Sequence, residues 1–208
     1  MSQSSSAPVD LTNRRVTIAL FAVAVCFFWA AQYIYLPTLP TYIQTKTDNL
    51  AMVGVVLSMY GLWQALVRLP LGIATDWLGW RKPFSIVGLA LAGVGALILA
   101  NASSAEGLAV GRAITGASAG AWVVIVVAFS ALFPPHETVR ASSILMIFNS
   151  LGRIVATSTA GWLTDLGGFT LPFFVATALS FISAIILLPI SETRRPSQTP
   201  SLANISRI

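Results

Sequence analysis

Gly72-Ile73-Ala74-Thr75-Asp76-Trp77-Leu78-Gly79-Trp80-Arg81-Lys82 links two long apolar runs, 50–73 and 84–100. Its charges, glycines and brevity mark a tight turn in water between two segments that avoid water. A helix rises 1.5 Å per residue, so about 20 residues cross a hydrocarbon core about 30 Å thick. Outward from this turn, four more runs have a comparable length: 16–39, 107–133, 141–163 and 169–190. The connections 40–49, 74–83, 101–106, 134–140 and 164–168 are short, which makes consecutive helices antiparallel neighbours. The reading is an all-α membrane protein with six transmembrane helices over 16–190. Residues 1–15 read as a disordered cytoplasmic N-terminus, and 191–208 as a polar, Pro-rich cytoplasmic tail.

Composition agrees. Of the 208 residues, 56% are hydrophobic and 9% charged, where a soluble domain carries about 25% charged residues to keep its surface wet. Mean hydropathy is +0.80. The run after Arg14 and Arg15 exceeds a signal-peptide core and lacks a small-residue cleavage site, so it reads as a retained helix.

Charge placement sets the orientation. Arg14, Arg15, Arg81, Lys82, Arg140, Arg194, Arg195 and Arg207 all fall on one side of the six-helix arrangement, and Lys46 alone lies in the loops of the other. The positive-inside rule puts the crowded side in the cytoplasm, with both termini, and makes the protein a multi-pass protein of the cell membrane. The net charge of +5 is thus a matter of membrane orientation and not of nucleic-acid binding.

Polar groups at membrane depth are the candidates for function, because a central arginine costs about 2.5–3.5 kcal/mol on insertion scales. Arg112 and Arg153 lie deep, and Gln64, Asn149, Gln32 and Tyr33 could line a shared polar path with them. Two readings stand for the arginines: a translocation path, or hydrogen bonds to carbonyls that fix helix packing. Arg68 is close enough to a helix end to snorkel. Pro37 and Pro40 either simply stop the first helix or free carbonyls that line something polar. Gly116 and Gly120 make a small-xxx-small face for close helix packing. The seven carboxylates, Asp10, Asp48, Asp76, Glu106, Glu137, Asp165 and Glu192, all fall at helix ends or in loops.

Enzymatic patterns are absent from the sequence. Cys26 is the single cysteine and His136 the single histidine, the latter in a loop. No nucleophile triad, phosphate-binding loop or metal-ligand spacing occurs, so no enzyme, cofactor or metal is expected.

The quoted turn resembles the signature loop of the major facilitator superfamily: Gly72, three residues, Asp76, two residues, Gly79, then Arg81 and Lys82. It stands after the second helix, where that family places it. There the glycines would permit a tight turn, Asp76 would cap a helix start, and the basic residues would sit at the anionic face. Pro37-Thr38-Leu39-Pro40-Thr41-Tyr42 resembles the first-helix end of drug-exporting members. Gly111-Arg112-Ala113-Ile114-Thr115-Gly116 is similar to the fourth-helix motif, whose arginine the family associates with proton transfer. Glu192-Thr193-Arg194 resembles the sixth-helix exit. The fifth-helix antiporter pattern is reduced to Gly152 and Gly161, with Thr157 at its proline position.

The resemblance covers the N-terminal six-helix half of that fold. It implies a secondary transporter of a small solute, completed by a second six-helix unit or a second copy and working by alternating access in the lipid bilayer. Gly72, Asp76, Gly79, Arg81, Lys82 and Arg140 would form a cytoplasmic gating loop. The other reading is a truncated or non-transporting subunit that acts in assembly or is a remnant.

Overall fold

A computed structural model describes residues 11–190, with side chains from Arg14 onward. The described residues form eight helices and one short 3₁₀ turn, with no strands: α1 Leu11–Tyr33, α2 Leu39–Gln44, α3 Leu50–Leu78, α4 Lys82–Asn101, α5 Ala105–Gly120, α6 Trp122–Ser130, the turn Pro135–Glu137, α7 Thr138–Gly167 and α8 Leu171–Leu187. α5 and α6 are one span broken at Ala121. Five spans are long and apolar enough to cross a membrane, and α8, at 17 residues, is a shorter sixth. The fold is the expected six-helix half-bundle. α1 begins at Leu11, inside the segment 1–15 read above as terminus, and the tail 191–208 lies outside the described residues.

Local chemistry sets the ends. Asn49 caps α3 by accepting from the backbone N–H of Ala51 (2.9 Å) and Met52 (3.4 Å). Ser104 caps α5 through the Gly107 N–H at 3.3 Å. Pro83 and Pro172 sit in the first turns of α4 and α8, where no N–H is missed. Gly79 closes α3 at φ 67°, a left-handed conformation that glycine adopts without strain.

The first helix stops at Tyr33, and a turn leads through Pro37 into α2. This end packs into apolar core. Tyr35, Leu39, Tyr42 and Ile43 are buried, Tyr42 and Tyr35 lie against Phe173, and the Tyr42 hydroxyl donates to the Leu99 carbonyl at 3.4 Å. Of the two readings of the proline pair, the structure shows the helix stop.

Helix neighbours run in the order α7–α1–α8–α4–α5–α3. Hydroxyl groups tie the central members. Ser180 on α8 donates to Leu89 on α4 (2.6 Å), Ser183 on α8 to Ala24 on α1 (2.7 Å), and Ser118 on α5 to Gly88 on α4 (2.7 Å). In lipid there is no hydrophobic drive between helices, so such bonds and close packing hold them. Replacing Ser180 and Ser183 together by alanine is expected to lower stability by about 1–3 kcal/mol. Detergent-driven unfolding of the purified chain checks this.

The outermost members of the order are the least covered. Only 11% of the apolar window of α3 is buried and 28% of that of α7, against 50% for α1, α4 and the α5–α6 span.

Candidate functional site

Glycines bring the site together. A Cβ at Gly116 on α5 would stand 2.8 Å from the Cα of Tyr60 on α3, so the two backbones touch there. One turn earlier on α5, Arg112 is 4% exposed and lays its guanidinium over the Tyr60 ring, 4.5 Å from its centroid. A Cβ at Gly152 on α7 would stand 3.2 Å from the backbone nitrogen of Ala30 on α1. Beside it, Arg153 lies over Tyr33 at 4.3 Å. Each arginine thus has one face covered by a phenol ring, a favourable cation–π arrangement.

A buried amide joins the walls. Gln32 on α1 donates to the carbonyl of Thr115 on α5 at 3.1 Å and accepts from the Tyr35 hydroxyl at 3.4 Å. Tyr33, Tyr35, Arg112 and Arg153 all lie within electrostatic reach of Tyr60. The Gln32–Thr115 bond sets the Arg153–Tyr33 pair of α7 and α1 beside the Arg112–Tyr60 pair of α5 and α3. Asn149 is buried one turn before Arg153, and its Oδ1 has no partner. Gln64 is half-buried on α3, and no hydrogen bond ties it to the cluster. Among the described residues neither arginine bonds a helix carbonyl, and each packs on a phenol ring of a neighbouring helix.

Sequence reasoning passed over Tyr60, Tyr35 and Thr115. A signal existed for Tyr60: the chain has only four tyrosines, and two of them, Tyr33 and Tyr60, cover the arginines.

The loop residues assemble at one end of the bundle. Asp76 lies inside α3 and caps no helix start, contrary to the expectation. Its carboxylate pairs with Arg81 at 3.3 Å across the Gly79 turn. Gly72 is likewise mid-helix, and Gly79 alone supplies the turn. Lys82 donates to the Leu188 carbonyl at 2.6 Å, tying the start of α4 to the end of α8. Arg14 donates to Leu132 O (2.8 Å) and pairs with Glu137 (3.2 Å), which also meets the exposed Arg140 at 3.4 Å. A cavity of about 150 Å³ sits among Phe21, Arg81, Lys82, Ser85 and Leu132 at this end. A second, apolar groove of about 400 Å³ lies among Met59 and Trp63 of α3, Leu91 of α4 and Val110 and Ile114 of α5. Neither contains the two arginines.

The sequence matches the family model of the Major Facilitator Superfamily over residues 21–206. The chain belongs to the Major Facilitator Superfamily. As a member of this superfamily of membrane transporters, it is 28% identical over 188 residues to an uncharacterized transporter of Buchnera aphidicola, covering 88% of this chain and 47% of that protein. It is 36% identical over 94 residues to the inner membrane transport protein YajR of Escherichia coli, covering 45% of this chain and 20% of that one. In fold it is similar to the human organic anion transporter MFSD10, with a TM-score of 0.74 at 16% identity, over 90% of this chain and 50% of that one. The chain spans about half the length, or less, of the relatives it matches.

Proposed function

We propose that the chain is one six-helix half of a secondary transporter that moves a small solute by alternating access against a second six-helix unit. The unit would lie in the cell membrane with both termini cytoplasmic. Arg112 and Arg153, with Gln32, Tyr33, Gln64 and Asn149, would line the solute path. The basic end, with Gly72, Asp76, Gly79, Arg81, Lys82 and Arg140, would act as the gating loop. Membership of a transporter family and the one-half coverage of relatives support this reading.

One observation carries the need for a second unit. Gly54, Ser58, Gly61 and Ala65 form an exposed stripe along α3 at helical spacing, and a Cβ at Gly54 or Gly61 would meet nothing within 4 Å. Glycine weakens a helix by about 0.8–1.0 kcal/mol relative to alanine. Lipid contact gives no reason to bear that cost, whereas close approach of another helix does. On α7, exposed Arg153, Thr157 and Gly161 line the other flank. A charge there calls for cover from lipid.

Disulfide cross-linking tests the assembly. With Cys26 replaced by serine, a cysteine at Gly61 is expected to cross-link in membranes to a second copy or to a co-expressed six-helix unit. Gly61→Leu is expected to abolish both association and solute uptake in liposomes while leaving the bundle folded. A folded chain that stays monomeric and inactive with every added unit would sink the proposal.

A further inference from the structure

The two arginines are covered on their faces and bare at their edges. No hydrogen-bond acceptor among the described residues meets either guanidinium, and the Nε of Arg112 is buried without a partner. Buried donors left unmet are costly, and a guanidinium offers five N–H groups in one plane. Nor is there a nearby negative charge. The ion pairs between described residues, those of Arg14, Arg81 and Arg140, lie at the basic end of the bundle. The wall thus carries two positive charges at membrane depth with no carboxylate among the described residues paired to them. What it lacks is a planar anion that accepts hydrogen bonds edge-on.

Beside that edge runs a row of rings. Tyr33, under Arg153, packs against Trp29 with centroids 5.8 Å apart, and Trp29 meets Trp122 edge-on at 5.3 Å. Tyr33 and Trp122 are half-exposed, and the indole N–H of Trp29 is a further buried donor without an acceptor. Such a row offers stacking and edge contacts to an aromatic body. The row and the bare edges together describe a ligand with an apolar, ring-bearing body and a carboxylate.

We propose that Arg112 and Arg153, each steadied by a tyrosine face, form the binding site for a small aromatic carboxylate. This rests on the reading of the chain as a transporter half and names its substrate class. The phenol rings matter because they cover the guanidinium faces and orient the N–H fork into the path. Tyr60 and Tyr33 are accordingly positioning residues.

Three probes of similar shape and different charge test the assignment on the purified full chain in lipid nanodiscs: benzoate, benzyl alcohol and benzylammonium. Calorimetry is expected to show benzoate binding at least about tenfold tighter than benzyl alcohol, as charge-assisted hydrogen bonds require. Benzylammonium is expected not to bind, and benzoate binding to weaken as ionic strength rises. Arg153→Gln, on an exposed face where folding is not at risk, is expected to weaken benzoate about tenfold or more. Tyr60→Phe should keep benzoate binding and Tyr60→Leu should lose most of it. Equal binding of the three probes, no benzoate binding at about 10 mM, or indifference to Arg153→Gln would each overturn the proposal. Benzoate binding by a chain that never assembles or transports keeps the site and removes the transporter reading. Uptake of a neutral or cationic solute without benzoate binding does the reverse.

Discussion

Gly116→Ala is expected to destabilise the bundle by about 1–3 kcal/mol, while the same change at Gly61 is neutral or stabilising by up to about 1 kcal/mol. One methyl group is added in each case, so the surroundings decide the sign. At Gly116 the new carbon would press on the Tyr60 backbone, 2.8 Å from its Cα and 2.9 Å from its carbonyl carbon, and backbone does not rotate aside. α3 would have to move off α5. At Gly61, the next residue along α3 from Tyr60, nothing stands within 4 Å, and the helix gains the better propensity of alanine. Unfolding of the two variants in mixed detergent micelles, monitored by circular dichroism, gives the comparison. A destabilised Gly116→Ala should also lose binding at the arginines, because displacing α3 carries the Tyr60 ring away from Arg112. Equal effects at the two positions would contradict the described packing of α3 on α5.

Arg112→Gln is expected to cut solute uptake about tenfold to a hundredfold while leaving stability unchanged or higher. The opposite signs follow from the energetics of a cation in lipid. Burying it costs about 2.5–3.5 kcal/mol on insertion scales, and the Tyr60 ring returns about 0.5–2 kcal/mol. A neutral amide lifts the net cost, so the folded bundle does not suffer. Uptake suffers because each charged hydrogen bond to a bound solute is worth about 1.5–3 kcal/mol. Arg112→Lys should fall between, since an ammonium keeps the charge and loses the planar fork. The loss is expected to be the same from about pH 5 to pH 8, because no carboxylate or imidazole of the described residues sits in the cluster. Liposome uptake across that range, with thermal unfolding of the same preparations, measures both quantities. Stability and uptake falling together would make Arg112 a packing element instead.

Much of the architecture was legible because membrane insertion is read from composition. A run of about 20 apolar residues has few other stable homes, and the alternation of such runs with short polar turns gives the count of spans. The finer boundaries were less legible. The first run reads through Pro37, yet the helix stops at Tyr33, because Tyr35, Leu39 and Ile43 find buried contacts that a straight helix would not reach. Asp76 reads as a cap from its neighbourhood of glycines. In the folded chain it is helical and pairs with Arg81, since Gly79 alone provides the left-handed turn.

The candidate site divides along the same line. The two arginines stand out in the sequence because charge is rare and costly at that depth. Their neighbours do not, because phenol rings are ordinary in membrane helices. By itself the sequence determined six spans, a superfamily, and two cations at membrane depth. Tertiary structure decided that those cations lie over Tyr60 and Tyr33, that their edges remain unmet, and that α3 and α7 are left uncovered. The reason is physical. Insertion depends on the hydropathy of each segment alone, whereas contacts depend on where glycines let one helix approach another.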